Sequence, residues 1–388
     1  MKGNRLPRAA LRRIAAALID IEVQRQRGTP LPRSCRPHDA ELDLDSLEQL
    51  GVMAILHEMF DLPEDTFGTE PLDTLDAWVD AIQVQQPRRL SVRTSGSTGM
   101  PRSCSHEIAD LMVEAAWFAE QVPNCGRVIA MVPTTHLYGI IWTALLPGLM
   151  KVPVLDGAVG KLPPLEPNDM IVAVPEQWSA LVRLKSEWPP NVVGISSAGP
   201  FDDDAAIAAT EAGLHKMIDV YGATETSAIG IRFAPESGYT LLPYWRIDEE
   251  KEHRELISRH GQRVQFPDRV EFLNRHRFKP VGRHDGAVQV GGLNVYPQRI
   301  AGLLKEIDGV EDAVVRLGSN GRLKAFLITT ESGDAAHIEK SLRLFCKENL
   351  EPAERPSRLT FGSTLPRNTM GKLTDWSEVP FQSYDVPE

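Results

Sequence analysis

The spacing of hydrophobic and polar residues changes twice along the chain. Before residue 88, apolar residues such as Leu47 and Leu50 recur at helical spacing, which predicts amphipathic helices. Further on, short runs rich in β-branched residues alternate with helical patterns, which is typical of βαβ units around a largely parallel sheet. The pattern predicts an α/β protein with a helical segment at 1–87, a core at 88–282 and a small α+β domain at 283–388.

The same periods resolve individual elements. Predicted strands of the core cover 90–94, 128–132, 152–155, 170–174, 192–196 and 218–221, and predicted helices cover 108–120, 138–149, 177–187 and 203–212. In the last part, strands are expected at 287–290, 313–317 and 324–329, and helices near 297–307 and 335–349. A boundary between the two parts is expected between Val281 and Asp285.

Charge is distributed unevenly over this pattern. The 388 residues include 42 Lys and Arg and 53 Asp and Glu, which gives a formal net charge of −11. Residues 1–37 carry nine basic and two acidic side chains, whereas residues 39–80 carry 13 acidic side chains and no Lys or Arg. Acidic blocks are often disordered, but here the apolar residues keep a helical period. We therefore expect a helical front segment with a strongly acidic middle.

Composition narrows the class of protein. A net acidic chain lacks the basic surface of a nucleic-acid-binding protein, and no apolar stretch is long enough to predict a membrane span. The four cysteines, Cys35, Cys104, Cys125 and Cys346, show no C-x-x-C spacing, which disfavours a disulfide scaffold or a zinc site. No signal peptide is expected from the N-terminal residues. These features predict a cytoplasmic protein.

The strongest local signal is a loop rich in Ser, Thr and Gly, directly after the first predicted core strand. It consists of Thr94, Ser95, Gly96, Ser97, Thr98 and Gly99, with Arg102 shortly afterwards. Glycines let backbone N–H groups approach a polyphosphate, and the arginine adds positive charge. The spacing differs from that of a Walker P-loop, and a flexible Ser/Gly turn is the alternative interpretation.

Other motifs follow this loop in order. They are Tyr221-Gly222-Ala223-Thr224-Glu225-Thr226, then Asp268, then Gly282-Arg283-His284-Asp285, and finally Leu365-Pro366-Arg367-Asn368-Thr369-Met370-Gly371-Lys372. The ordered set resembles the adenylate-forming superfamily, which contains acyl-CoA synthetases, aryl-acid AMP ligases and peptide-synthetase adenylation domains. The resemblance covers residues 90–376. It implies a truncated form of the superfamily's N-terminal domain with mostly parallel sheets, followed by a small mobile lid.

The resemblance also implies a role for each motif, with ATP and Mg²⁺ as cofactors. The implied ATP contacts are the loop 94–99, Arg102, Ala198, Gly199, Pro200, Tyr221, Asp268 and Arg283. Thr224 would bond the α-phosphate, Glu225 would hold Mg²⁺, and Lys372 would act in adenylation. Asp285 would be the hinge of the lid. Such donors suit the reaction because a carboxylate and ATP are both anions, so the developing charge has to be stabilised.

The acid would bind beside the segment Val132-Pro133-Thr134-Thr135-His136-Leu137-Tyr138-Gly139. In the superfamily this segment places an aromatic residue or a histidine at the acyl site, so the resemblance implies that His136 orients the substrate carboxylate. A structural histidine is the alternative. Further pocket candidates are Tyr138, Trp142, Ser197, Ala198, Gly222 and Ala223. This mixture of aromatic and small residues favours a flat ring.

Taken as a whole, the chain resembles the AMP ligases of aryl-polyene and xanthomonadin-type pigment pathways. That resemblance implies activation of a hydroxybenzoate-like acid and transfer to an acyl carrier protein. An aryl or medium-chain acyl-CoA synthetase and a non-catalytic nucleotide-binding or carrier-recruiting protein are the alternatives. The superfamily normally has a longer stretch before its phosphate loop, so we expect the front helices to cover an exposed flank of the core, or a homodimer to do so.

The front segment contains one further motif. Asp45-Ser46-Leu47 resembles the site where acyl carrier proteins bear phosphopantetheine. The structural alternative is a capping box between Ser46 and Gln49 that begins a helix. An acidic carrier partner would be repelled by this segment, so docking is expected on basic lid residues such as Arg316, Arg322 and Lys324.

Overall fold

The chain divides into two compact units. The computed structural model describes residues 5–29, 41–94, 102–248, 255–284, 286–330, 335–366 and 374–376. The larger unit contains residues 1–96, 100–266 and 271–279, and the smaller unit contains residues 97–99, 267–270 and 280–388. The main stretch of the smaller unit therefore starts next to the boundary expected from the sequence. Among the described residues, no helix is both long and apolar enough to cross a bilayer.

Three helices form the front of the larger unit: α1 (Arg8–Arg27), α2 (Ser46–Phe60) and α3 (Leu75–Gln85). The apolar face of α1 is buried, including Leu11 and Ile14. It packs against α2, against α3 and against helical turns of the core. The front helices therefore belong to the same unit as the core.

The basic and acidic blocks of the sequence neutralise each other across these helices. Arg8 of α1 pairs with Asp76 and Asp80 of α3. Arg27, the last residue of α1, donates through Nε and Nη2 to the two carboxylate oxygens of Glu48 on α2. Glu48 is only 2% exposed. The uneven charge along the chain thus becomes complementarity between packed helices.

The start of α2 differs from the expected capping box. Asp45 precedes the helix with extended backbone, and its carboxylate accepts hydrogen bonds from the N–H groups of Leu47 and Glu48, both at 2.9 Å. Glu48 in turn accepts from the N–H of Asp45 at 2.9 Å. The box therefore joins Asp45 to Glu48, and the expected box from Ser46 to Gln49 is wrong by one residue. Ser46 is exposed in the first turn.

The core elements of the sequence are confirmed, with bounds shifted by a few residues. The strands are β1 (Arg89–Thr94), β2 (Arg102–Glu107), β3 (Arg127–Ala130), β4 (Val154–Asp156), β5 (Asp169–Ala173), β6 (Val193–Ser196), β7 (Lys216–Ala223), β8 (Ser227–Ala234), β9 (Tyr239–Leu241), β10 (Trp245–Asp248), β11 (Glu255–Ser258), β12 (Arg263–Val264), β13 (Asp268–Phe272) and β14 (Arg277–Arg283). The helices are α4 (Ile108–Gln121), α5 (Leu137–Ile140), α6 (Leu146–Met150), α7 (Pro175–Leu184) and α8 (Asp203–Glu211).

A nine-stranded sheet has the order β13-β14-β9-β8-β7-β6-β5-β3-β4. From β4 to β7 neighbouring strands are parallel, as expected. From β7 through β8 and β9 to β14 they are antiparallel. The sequence did not predict this second half, because Gly230 and Arg232 interrupt the apolar run of β8 and its residues do not alternate between apolar and polar. At the parallel end, Arg13 of α1 pairs with Asp156 of the outermost strand β4 at 2.6 Å.

The helix predicted at 138–149 is not continuous. A π-helical turn, Ile141–Leu145, lies between α5 and α6. Such turns often occur at functional sites. Trp142 within it is 1% exposed, and its ring centroid lies 4.5 Å from that of Phe118 on α4. The structure therefore places Trp142 in the core, although the sequence made it a pocket candidate.

The smaller unit confirms the strands and helices predicted near the C-terminus. It contains β15 (Val288–Val290), β16 (Leu293–Val295), α9 (Pro297–Lys305), β17 (Val310–Leu317), β18 (Leu323–Thr329), α10 (Ala335–Asn349) and β19 (Arg358–Phe361). Strands β17, β18 and β19 form a sheet in that order. Its core includes Ile300, Leu304, Leu327 and Leu342, each nearly or fully buried.

Lys324 on β18 is not an open docking residue. It is 4% exposed, and its Nζ lies 2.9 Å from Asp375 Oδ1 and donates to the carbonyl of Trp376 at 3.0 Å. The same ammonium lies 4.8 Å from the centroid of the Trp376 ring. Residues 374–376 thus cover Lys324, and the expectation that Lys324 meets a carrier protein is wrong.

Candidate active site

The sequence-predicted residues of the larger unit gather at one edge of the nine-stranded sheet. Strands β3, β5, β6 and β7 are parallel, so their carboxyl ends meet at the same edge, which is where open α/β sheets bind ligands. The register pairs Ala173 with Ser196 and Ser196 with Asp219. His136 follows β3, Ser197 follows β6, and Tyr221 lies near the end of β7.

Side chains hold these strand ends together through backbone carbonyls. The hydroxyl of Tyr138 lies 3.1 Å from the carbonyl oxygens of both Ala173 and Ile195. The hydroxyl of Ser197 donates to the carbonyl of Val220 at 2.8 Å. The polar atoms of Tyr138 and Ser197 are therefore engaged with the sheet, which fixes the edge. Substrate contacts through the rest of these side chains remain a prediction.

His136 is exposed at the beginning of α5, where its backbone is extended. Partial desolvation of the ring nevertheless lowers the pKa of His136, so a neutral imidazole is expected near pH 7. Gly139 makes the turn possible, because a Cβ at that position would overlap the carbonyl oxygen of Pro133. A neutral, accessible imidazole can donate one hydrogen bond to a carboxylate, as the sequence predicts for His136.

Two segments predicted to enclose the adenine flank each other on β6 and β7. Tyr221 is 9% exposed, and its ring lies 5.4 Å from that of Tyr239 and 5.3 Å from that of Phe278. Ala198 has a positive φ of 67°, which is uncommon for a residue with a side chain and often marks functional sites. Gly199 is half-buried. Of the other residues in these two segments, Ala223 is half-buried, and Pro200 and Gly222 are exposed.

A buried charged network beneath these segments was missed by sequence reasoning. Asp219 on β7 accepts from Arg232 Nε at 2.7 Å and from the hydroxyl of Tyr239 at 2.6 Å. Arg232 also donates to the carbonyl of Phe201 and to Asp203, both at 2.8 Å. The network therefore ties the segment that follows the 197–200 loop to the strand that carries Tyr221. The signal available in the sequence was an aspartate within an apolar strand, two positions before Tyr221.

The two strands that flank the predicted phosphate loop in sequence pair with each other. Strands β1 and β2 pair antiparallel from Arg89 opposite Glu107 to Thr94 opposite Arg102. Several predicted residues lie outside the described residues, namely Ser95, Gly96, Ser97, Thr98, Gly99, Asp285 and Lys372. The same holds for the side chains of Thr94, Arg102 and Arg283. Their assigned roles remain predictions.

The turn between β7 and β8 carries the predicted phosphate and metal contacts. Thr224 is half-buried and Glu225 is exposed. The Oγ1 of Thr226 accepts from the N–H of Ala223 at 3.2 Å, which closes the turn. Among the described residues, no group of three His, Cys, Asp or Glu side chains could hold a metal by itself. One exposed carboxylate fits Mg²⁺, which usually binds through one or two carboxylates and substrate phosphates.

In the smaller unit, the structure describes one predicted nucleotide contact with its side chain. Asp268 is the first residue of β13 and is half-buried. Arg283 is the last residue of β14. Both lie on the hairpin β13–β14, at positions that the superfamily resemblance associates with the ribose.

The chain is similar to known enzymes. A family model described as AMP-binding enzyme matches residues 92–296. A 4-coumarate–CoA ligase of Rhodobacter capsulatus is 34% identical, and the alignment covers 94% of this chain and 100% of the relative. A 3,4-dihydroxybenzoate–[aryl-carrier protein] ligase of Bacillus anthracis is 22% identical over 72% of this chain and 71% of the relative.

A solved structure shows the same fold. The o-succinylbenzoate CoA synthetase of Bacillus subtilis superposes with a TM-score of 0.57 and 18% identity, covering 73% of this chain and 67% of that protein. The alignment with the Rhodobacter relative extends over the whole of that relative.

Proposed function

The chain belongs to the AMP-binding enzyme family, and we propose that it activates an aryl carboxylic acid and transfers the acyl group to a pantetheine thiol. As a member of this family it is a ligase that forms an acyl-AMP from an acid and ATP, with Mg²⁺. The proposal concerns which acid is activated and which thiol accepts the acyl group.

One observation carries the proposal. The ends of β3, β6 and β7 bring His136, Ser197 and Thr224 to the same edge of the sheet. A group suited to a carboxylate therefore lies at the same edge as a group suited to a phosphate. Adenylation requires that arrangement, because holding two anionic reactants in the right geometry removes much of the barrier.

In the first step, a carboxylate oxygen of the acid attacks the α-phosphorus of ATP, and the bond to the bridging oxygen breaks to release pyrophosphate. The exposed Glu225 would hold Mg²⁺, which would neutralise part of the phosphate charge. The hydroxyl of Thr224 would donate to an α-phosphate oxygen. The neutral ring of His136 orients the carboxylate. Lys372 and Arg102 supply positive charge where it develops.

In the second step, a thiol sulfur attacks the acyl carbon of the adenylate. The bond from that carbon to the phosphate oxygen breaks, AMP leaves, and the thiol proton passes to solvent. The lid that carries Lys372 moves between the steps, hinged at Asp285, so that the thiol can enter.

A phenolic aryl acid is supported by two observations. Relatives of the chain are named for 4-coumarate and 3,4-dihydroxybenzoate, which are both flat phenolic acids. The predicted pocket residues Ala198, Gly222 and Ala223 are small, which leaves space for a planar ring. Hydroxybenzoates and 4-hydroxycinnamate are therefore the first acids to test.

Two acceptors present the same thiol. The resemblance to pigment-pathway ligases supports an acyl carrier protein, whereas the name of the 34% identical relative supports CoA. Both end in pantetheine, so the chemistry of the second step is identical. The acceptors are separated by offering CoA and a phosphopantetheinylated carrier protein together and measuring each thioester by mass spectrometry.

The decisive experiment measures pyrophosphate release by the purified protein with ATP, Mg²⁺ and a panel of acids. The panel contains 3- and 4-hydroxybenzoate, 4-coumarate, benzoate and octanoate. We expect the phenolic acids to give the fastest release. Release that is no faster with any acid than without acid would contradict the proposal and favour a non-catalytic nucleotide-binding protein.

Lys372→Ala separates an enzyme from such a protein. Removing one stabilising donor commonly lowers turnover about 100-fold or more, so acid-dependent pyrophosphate release should fall by at least that factor. Lys347→Ala, which removes an exposed lysine of α10, is the matched control and should retain activity. Equal turnover of the two variants would exclude the role assigned to Lys372.

A further inference from the structure

The turn at 224–227 is held in a conformation that its own residues do not favour. Ser227 has a φ of 59°, in the left-handed region that costs a residue with a side chain free energy. Gly222, on the opposite strand of the same hairpin, lies so close to Ser227 that a Cβ at position 222 would overlap the carbonyl oxygen of Ser227. Contacts with surrounding residues must therefore stabilise this turn. Two side chains supply these contacts.

The first side chain is His106 on β2. Its Nε2 lies 2.7 Å from the carbonyl oxygen of Thr224. A carbonyl only accepts, so the ring donates through Nε2–H. Desolvation lowers the pKa of His106, which makes the neutral ring with its proton on Nε2 the form that makes this bond. The imidazole thus links the hairpin of the phosphate loop to the turn.

The second side chain is Glu114 on α4, which is 3% exposed. Its Oε1 accepts from the hydroxyl of Ser227 at 2.9 Å and lies 3.4 Å from the N–H of Ala228. The Ala228 carbonyl is held in turn by the indole N–H of Trp245 at 2.8 Å. These hydrogen bonds stabilise Ser227 in its left-handed backbone conformation.

Both residues come from the chain immediately after the phosphate loop. His106 is in β2, the strand that leaves the loop, and Glu114 is in α4, the helix that follows it. They contact opposite ends of the turn, since His106 bonds Thr224 and Glu114 bonds Ser227. These contacts fix the 224–227 turn relative to β2 and α4, the two elements that follow the predicted phosphate loop.

We propose that His106 and Glu114 are positioning residues, which hold the 224–227 turn against the phosphate-loop hairpin so that Thr224 faces the α-phosphate. The inference rests on the proposed function, because it takes Thr224 to be a phosphate contact. It predicts an effect on phosphate recognition and not on nucleoside recognition. That distinction separates positioning from a general loss of structure.

The test compares the affinities of AMP and adenosine, measured by calorimetry on the full chain. In wild type, AMP is expected to bind more tightly. His106→Ala and Ser227→Ala should each reduce the preference for AMP over adenosine by about tenfold, because a displaced Thr224 hydroxyl would lose its hydrogen bond to the charged phosphate. Adenosine affinity should change by less than about twofold.

Conservative variants provide the rescue. His106→Gln keeps an N–H donor, and Glu114→Gln keeps an acceptor for Ser227, so both should retain most of the AMP preference. Glu48→Gln is the matched control, because Glu48 is equally buried but lies on α2. It should leave the AMP preference unchanged even if the melting temperature falls.

Two outcomes overturn the inference. One is loss of AMP and adenosine affinity by the same factor in His106→Ala, which indicates a structural role alone. The other is an unchanged AMP preference in both His106→Ala and Ser227→Ala. Failure of the proposed function is recognised separately, as wild-type protein that prefers AMP over adenosine but releases no pyrophosphate with any acid.

Discussion

Two buried glutamates show how differently the front helices and the active-site edge treat charge. Glu48 and Glu114 are 2% and 3% exposed. Arg27 hydrogen-bonds Glu48 and lowers the pKa of that carboxyl. Glu114 is bonded by Ser227 and by a backbone N–H, and burial raises its pKa to about 7. A countercharge stabilises the first region, whereas the second retains an uncompensated carboxyl that organises a turn.

Burial alone therefore does not identify a functional carboxylate. Desolvation raises the pKa of any buried acid, and only the partner decides whether the shift persists. At Glu48 the partner is a guanidinium from a neighbouring helix. At Glu114 the partners are neutral, and the charged Arg259 acts only at a distance. Perturbed groups of the second kind cluster at functional sites.

The largest effect that tests this comparison is the pH dependence of stability at Glu114. The folded-state pKa of about 7 lies above the ordinary glutamate pKa of 4.5. Its contribution to stability is therefore fully present below pH 4.5 and is lost as pH rises through 7. Ionisation in the folded state then costs on the order of 3 kcal/mol, at about 1.4 kcal/mol per pKa unit.

Glu114→Gln should remove this dependence. Between pH 5 and pH 8, the unfolding free energy of wild type, measured by urea denaturation, should fall relative to that of the variant. Ser227, Tyr244 and Arg259 face the carboxyl, so their effects are common to both proteins. A difference that does not change with pH would show that Glu114 ionises normally.

A matched pair of glycines gives the next largest effect. A Cβ at Gly222 would overlap the backbone oxygen of Ser227, whereas a Cβ at Gly51 would overlap the ends of the Glu22 and Gln26 side chains. Side chains can move and the paired backbone cannot. Gly222→Ala should therefore lower the unfolding free energy by about 2 kcal/mol and reduce pyrophosphate release sharply.

Gly51→Ala should be milder in both respects, with a stability loss below about 1 kcal/mol and activity near that of wild type. Thermal melting and the pyrophosphate assay measure the two effects on the same samples. Equal loss of activity in the two variants would break the distinction between the front helices and the active-site edge.

Arg27→Ala tests the compensated glutamate. Breaking a fully buried pair costs about 3–5 kcal/mol, but Arg27 is 34% exposed, so water replaces part of the lost interaction. We expect a loss of about 2 kcal/mol in urea denaturation at pH 7. Because the pKa of Glu48 is lowered, the loss should shrink as pH falls through the folded pKa of that carboxyl. A loss that is constant with pH would contradict the pairing.

The smallest effects concern the first turn of α2. Asp45→Ala removes the cap and should cost about 1 kcal/mol. Ser46→Ala should cost less than about 0.5 kcal/mol, because the exposed hydroxyl is not the cap. A carrier role for Ser46 remains a prediction, tested by intact mass after coexpression with a phosphopantetheinyl transferase.

How much was predictable from the sequence depended on the kind of signal. The parallel strands were found because they form short apolar runs between helical patterns, and Tyr221 lies near the end of its strand, as predicted. The antiparallel strand β8 was missed because Gly230 and Arg232 interrupt its apolar run. The capping box was misplaced by one residue because Asp45 and Ser46 are both good caps and only backbone conformation separates them.

Contacts between distant residues were beyond the sequence. His106 and Thr224 are 118 positions apart, and Arg232 reaches Phe201 across 31 positions. No local period or motif spacing encodes such pairs. The sequence thus supplied candidate residues for the chemistry, and their roles stay predictions, while the side chains that hold these candidates in place became visible only in the fold.

The contact between Arg13 and Asp156 bears on how the protein behaves in solution. Strand β4 is the outermost strand of the parallel side, and an outermost strand offers unpaired backbone groups to other molecules. Here the strand is short, carries a charge and is tied to α1. The helix α1, whose basic residues pair with the acidic block, therefore also disfavours edge-to-edge association of β4 with another molecule.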